Sequence, residues 1–212
     1  MTVTVPGASC TDWTYDANWA TGYGVRSRQK ALYKGGSETL NVYVVESIDA
    51  DRPPVAGRTI LPGRSNGNRD GVTIVAATVP NANIYPCRTG YTCPYHQGRK
   101  LVHEVGHWLG LLHTFQGGDC EGEGDFVDDT PAQLEPPPDG MCRTRQDSCP
   151  KQIGMDPENN FMDNLTDECA TQFTPGQIAR MHDMWNTYRG PDSQTLYHNF
   201  QSWLGSTAPW RR

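Results

Sequence analysis

Apolar positions recur with a regular period in only a few stretches of this chain, and those stretches mark the elements. Residues 39–46, TLNVYVVE, alternate apolar and polar side chains and are rich in β-branched ones, which predicts a strand. GVTIVAATV at 71–79 predicts a second. Between them, residues 51–70 are dense in Pro, Gly and Asn and read as loop around a short edge strand near 58–61. Helix-forming residues at 27–34 stop at Gly35-Gly36. Helical spacing holds from about 98 to 111 and again from about 175 to 188. Before the second helix Thr174 is placed to cap it and Pro175 takes its first position. Ile178, Met181, Met184 and Trp185 then fall on one apolar face. Residues 1–24 read as an extended arm carrying Trp13, Tyr15, Trp19 and Tyr23, and 191–212 as a polar tail. That leaves 25–190 as a single folded domain.

Residues 114–172 lack periodicity altogether, which for so long a stretch asks for something other than a core to hold it. Crosslinks and metal can do so. The chain has seven cysteines, and four of them fall here: Cys120, Cys142, Cys149 and Cys169. None forms a C-x-x-C cluster, so disulfides in an oxidising compartment are expected rather than a zinc–thiolate site. Four cysteines allow three connectivities, and spacing does not choose among them. Cys87 and Cys93 flank the five-residue loop RTGYT and predict a local disulfide. Cys10 is then left over, as a partner for something outside this chain or a thiolate from a pro-segment able to bind zinc. The net charge of −6, with no basic stripe, argues against nucleic acid. No apolar run reaches membrane-spanning length. MTVTVPGASC lacks the apolar core of a signal peptide, which says nothing for a cytosolic location.

Chemistry concentrates in residues 103–113, HEVGHWLGLLH, which hold three of the six histidines. His103 and His107 are four apart, so a helix carries both imidazoles on one face. Glu104 lies beside the first and can reach a metal-bound water without being a ligand. Gly110 can take the left-handed conformation that ends a helix, letting His113 swing back as a third nitrogen ligand. Three neutral imidazoles and one open position are the coordination of a catalytic zinc. Such an ion keeps its full charge and brings a bound water to a pKa of roughly 7. Glu104 is then the general base that takes the water's proton and passes it to the leaving amine.

The stretch fits H-E-x-x-H-x-x-G-x-x-H, the metzincin pattern. Together with HTFQGGDC, NNFMD and FTPGQIARM, it resembles the pappalysin family of metzincin endopeptidases, especially its secreted fungal and microbial members. The resemblance is specific from about 98 to 188 and looser from about 25 to 80. It implies an α+β zincin fold. The upper half, to about 113, has a small twisted sheet with the active-site helix above it. The lower half, about 114–190, is irregular and disulfide-tied and ends in a helix. Substrate would lie in the cleft between the two. The resemblance also implies the pairings Cys120–Cys149 and Cys142–Cys169, and a Met-turn at Met162 beneath the three histidines. Two residues on, many family members carry a tyrosine that can reach the reacting centre, whereas this chain has Asn164, a shorter donor. Asn164-Leu165-Thr166 is also the only N-glycosylation sequon, expected to be unused in a tight turn.

The resemblance implies that the segment after the Met-turn helps line the pocket beyond the scissile bond, where Glu168 would favour Arg or Lys; the alternative is a surface glutamate. Residues 119–129 hold six carboxylates. They form either a solvated acidic loop or a structural calcium site, for which the resemblance implies Asp125, the backbone of Val127 and Thr130 as candidate ligands. The function expected is that of a secreted, monomeric zinc endopeptidase acting on proteins or peptides, with neither nucleic acid nor membrane as partner. Two rivals are a different zinc hydrolase chemistry on the same helix, and a secreted zinc-binding protein or effector that keeps the scaffold but little catalysis.

Overall fold

The computed structural model describes residues 29–45, 48, 55–64, 69–80, 97–137, 141–191 and 193. The expectations for residues 1–24, for most of 191–212, and for Cys10, Cys87 and Cys93 lie outside them.

Three strands form a mixed sheet in the order β1-β3-β2. They are β1 (Val42–Val45), β2 (Gly57–Thr59) and β3 (Val72–Val75). β1 runs parallel to β3, with Val42 opposite Val72, and β2 runs antiparallel to it, with Gly57 opposite Ile74. β3 is central, so both its edges are paired, and Val72, Thr73 and Ile74 are buried on both its faces. On the edge strand β1, by contrast, burial alternates: Tyr43 and Val45 are buried while Val42 is exposed. The strand predicted over 71–79 stops at Val75. There the chain tightens into a 3-10 turn over Ala76–Thr78, held by the Thr78 hydroxyl donating to the Val75 carbonyl at 2.8 Å. Ahead of the sheet, residues 29–32 are helical. From there Gln29 donates to the Thr73 hydroxyl at 2.8 Å.

Helix α1 (Arg99–Trp108) packs on β2 and β3. It ends three residues before the predicted 111. Gly110 sits at φ +92°, the Gly110 amide donates to the His107 carbonyl at 2.9 Å and the Leu111 amide to the Gly106 carbonyl at 3.0 Å. These are the two bonds of a Schellman ending, which a glycine permits and a β-carbon would strain. The core is Val72, Ile74 and Trp108, with Val44, Val79, Leu101, Val105, Leu109 and Trp185 packed around it.

Residues 109–174 contain no helix or strand among those described, only an isolated bridge between Asn160 and Gln172. Cys120 is joined to Cys149 and Cys142 to Cys169 across this segment. Helix α2 (Pro175–Tyr188) follows, with a capping box between Thr174 and Gln177. The apolar face expected of it needs correction. Ile178 is 45 % exposed, whereas Gln177 is fully buried. The capping box draws the Gln177 side chain back over the helix start, where it forms a reciprocal amide pair with Asn160 at 2.8 and 3.0 Å. Met184 and Trp185 do face inward: Met184 lies against Gly110, and Trp185 meets Trp108 edge-on with ring centroids 6.0 Å apart. The architecture is α+β, a small mixed sheet with few helices and two disulfides.

Candidate active site

Helix α1 and the turn after it bring His103, His107 and His113 together. Their Nε2 atoms lie 3.1, 3.1 and 3.2 Å apart. The Nδ1 atom of His103 is 2.6 Å from the Phe161 carbonyl, and that of His107 is 2.8 Å from the Leu111 carbonyl. A carbonyl can only accept, so both Nδ1 atoms carry hydrogen and both Nε2 atoms present lone pairs. The Leu111 carbonyl belongs to the turn that ends α1, so one backbone feature both turns the chain toward His113 and fixes the His107 ring. His113 stacks on Phe115, with ring centroids 4.7 Å apart and planes 8° from parallel.

Burial, reinforced by the Lys100 charge, holds all three rings below the ordinary imidazole range, His113 to about 3. They are therefore neutral at pH 7. The bare Nε2 atoms of His103 and His107 converge with that of a neutral His113, and a cation between them would accept a lone pair from each. Tetrahedral ligands at zinc–nitrogen distances of about 2.0–2.1 Å are about 3.3 Å apart, close to the separations seen. Among the described residues this is the one cluster of three or more His, Cys, Asp or Glu side chains able to share an ion.

Glu104 is 3 % exposed and outside that cluster, yet close enough for its charge to act on His107. Its carboxylate faces β2. The Thr59 hydroxyl donates to Oε2 at 2.7 Å and also lies 3.0 Å from the Glu104 carbonyl. Lys100 Nζ is 3.6 Å from Oε1.

Met162 is fully buried under the histidines' helix. A β-carbon on Gly106 would come within 2.5 Å of its sulfur, so this glycine is what lets the turn approach α1. The turn is set by Asn160, whose Oδ1 accepts from the Met162 amide at 2.8 Å while its side chain pairs with Gln177. Helix α2 thus reaches the histidines through Gln177, Asn160, Met162 and Gly106. Asn164 is exposed and Glu168 is exposed. The acid next to it, Asp167, is buried and accepts from the Gln97 amide at 2.6 Å and the Arg99 amide at 3.4 Å, serving the start of α1. An acid at a helix N-terminus satisfies amides that have no partner within the helix.

The calcium reading gains no support from the acidic loop. Asp125 accepts from the Thr130 hydroxyl at 2.8 Å and the Val127 amide at 3.1 Å. Asp129 accepts from the Thr174 hydroxyl at 2.6 Å and the Gly176 amide at 2.8 Å, capping α2. These carboxylates are occupied by the protein's own donors.

Sequence reasoning missed Gly57, Thr59, Lys100, Gly106, Asp167, Asn160 and Gln177. Two left a signal: Lys100, four positions before Glu104 at the spacing of a helical ion pair, and Gly106. Glycine in mid-helix costs about 1 kcal/mol against alanine and so asks for a packing reason. The other five act across 17 to 70 positions of chain, where no periodicity reaches.

At the C-terminal end of α1, Arg189 donates to Asp70 at 2.5 and 3.2 Å and to the Trp108 carbonyl at 2.7 Å, and its guanidinium lies 3.7 Å over the Trp108 ring. The Trp108 indole donates to the same Asp70 at 3.2 Å. This buried cluster fixes the residue that follows His107.

Comparison with known proteins agrees with this geometry. The Peptidase M43 family model, described as pregnancy-associated plasma protein-A, matches residues 36–186. An extracellular metalloprotease of Pyricularia oryzae is 43 % identical over 182 residues, covering 84 % of this chain and 59 % of that protein. One of Colletotrichum graminicola is 40 % identical over 178 residues, covering 84 % and 60 %. The chain thus spans about three fifths of the length of these relatives. Among solved structures, mature mirolysin of Tannerella forsythia in complex with a cleaved peptide is similar with a TM-score of 0.54 and 28 % identity, covering 77 % of this chain and 58 % of that one. Mirolysin in complex with a small compound gives a TM-score of 0.58 and 26 % identity, covering 83 % and 65 %. With the family model spanning the sheet, the histidine cluster and most of α2, this chain belongs to the pregnancy-associated plasma protein-A peptidases, family M43, the pappalysins.

Proposed function

We propose that the protein is a secreted zinc endopeptidase that hydrolyses peptide bonds in proteins or peptides. The observation that carries this reading is the convergence of the three Nε2 atoms of His103, His107 and His113. These residues would hold Zn²⁺, and a bound zinc ion supplies an acidified water and polarisation of the peptide carbonyl. Glu104, held beside the cluster, takes the water's proton and later delivers it to the leaving amine. Met162 supports the cluster from beneath. β2 has one strand partner among the described residues, so its other edge can take an extended peptide as an added strand. The similar mirolysin structure holds a cleaved peptide, and the similar fungal proteins are named extracellular, which supports both substrate class and secretion. No described helix is long and apolar enough to cross a membrane.

Within this reading, Asn164 stands where a longer donor would serve the transition state better, and exposed Glu168 favours Arg or Lys next to the cleavage site. Purified zinc-loaded protein should release dye from azocasein. A zinc chelator should abolish the activity, and Glu104→Ala should lose it while keeping the metal. Metal-loaded protein that leaves casein intact would replace this reading with that of a zinc-binding scaffold. In a peptide library, cleavage that ignores basic residues, or an unchanged preference in Glu168→Gln, would remove the role of Glu168.

A further inference from the structure

Helix α1 gives Glu104 its height beside the histidines, and within the helix the carboxylate meets Lys100 Nζ at 3.6 Å, too long for a hydrogen bond that would fix where it points. A glutamate has three rotatable side-chain bonds, and a base has to meet the reacting water within hydrogen-bond reach. The groups that fix it come from β2, some 45 positions earlier in the chain. Gly57 and Thr59 are two apart on that strand and therefore share a face, the one turned toward α1. Both touch the carboxylate's surroundings. A β-carbon on Gly57 would lie 2.5 Å from Oε1 and 2.6 Å from Cγ of Glu104, so the missing side chain is the space the glutamate occupies. Thr59 donates its one hydroxyl hydrogen to Oε2 at 2.7 Å, the shorter of two contacts, while the hydroxyl oxygen also lies 3.0 Å from the Glu104 carbonyl.

We infer that Thr59 is a positioning residue for the general base, with Gly57 as the floor of its socket. The hydroxyl engages Oε2 and leaves Oε1, the oxygen facing Lys100, to take the water's proton. Glu104 is 3 % exposed, so no solvent replaces the Thr59 hydrogen bond if it is lost, and a hydrogen bond to a buried carboxylate is among the stronger kinds. Because β2 is also the strand to which an extended substrate can add, the strand that registers the peptide is the one that aims the base. This inference rests on the reading of Glu104 as base, and the experiment separates the two.

In zinc-loaded full chain, Thr59→Val keeps the shape of the side chain and removes the donor. It should lower kcat by about tenfold or more, with KM and zinc content within about twofold of the parent. Thr59→Ser, which keeps the hydroxyl, should stay within about threefold of the parent kcat. A second readout needs no catalysis. In the metal-free chain, Thr59→Val should lower the melting temperature in the parent background, where a buried carboxylate loses its donor, and have much less effect in a Glu104→Ala background. If Glu104→Ala keeps its turnover, the base reading fails and this inference with it. If Glu104→Ala is inactive while Thr59→Val turns over within twofold of the parent, only the inference fails. Equal melting losses in both backgrounds, or loss of zinc from Thr59→Val, would show a merely structural threonine and overturn it as well.

Discussion

Asp70→Asn is the substitution whose cost the structure defines most fully. Asp70 and Arg189 are each 2 % exposed and meet at 2.5 Å, so neither charge has water to fall back on. Removing one partner of such a pair typically costs about 3–5 kcal/mol, because the other charge stays buried. Arg189 keeps two backbone acceptors, the Trp108 carbonyl at 2.7 Å and the Ser37 carbonyl at 3.2 Å, and keeps the face of Trp108. An asparagine can still accept one bond. Both effects place the loss at the low end, about 3 kcal/mol. For a chain of this size that is a fall in melting temperature of about 6–12 °C, measurable by circular dichroism. Salt should leave the difference nearly unchanged, since a buried pair is poorly screened. Replacing both partners by apolar residues, Asp70→Leu with Arg189→Met, should cost less than the two single changes summed. Zinc affinity should weaken alongside stability, because Trp108 directly follows His107 and carries two of the cluster's bonds. A loss under about 1 kcal/mol in Asp70→Asn, or strict additivity in the double variant, would refute the reasoning, since it would mean the pair is effectively hydrated.

Three further outcomes follow from the site. Gly106→Ala should destabilise by about 1–3 kcal/mol and weaken zinc binding, read by chelator competition, because its β-carbon meets the Met162 sulfur at 2.5 Å. The metal-free chain should lose stability as pH falls below about 6.5. The three rings stay neutral when folded and charge when unfolded, so the unfolded state binds more protons in that window, and a melting series across pH 7 to 4 checks the sign. Asn164→Tyr should raise kcat if a longer donor reaches the transition state, and an unchanged kcat in a steady-state assay would show that the position does not limit turnover.

Local patterns in the sequence carried the elements and the three histidines that cluster. Alternation placed β1, a run rich in β-branched residues placed β3, and Thr174-Pro175 placed the start of α2, because each is decided by neighbours a few residues away. The histidine spacing likewise fixed which rings a helix and a glycine turn could bring together. Element ends were less legible: β3 gives way to a 3-10 turn at Ala76, and α1 closes at Trp108 through backbone bonds that side-chain periodicity does not record.

What holds the site came from tertiary structure alone. Which strand faces Glu104, which acid serves the start of α1, and which buried pair pins its end are contacts between residues 45 to 119 positions apart. Gln177 shows why. Its pattern position reads as polar surface, yet it is fully buried because Asn160 and the capping box satisfy it. Hydrophobic periodicity reports only what a residue would do against water. A buried polar group is placed by a partner far along the chain, and that partner is known only once the chain has folded.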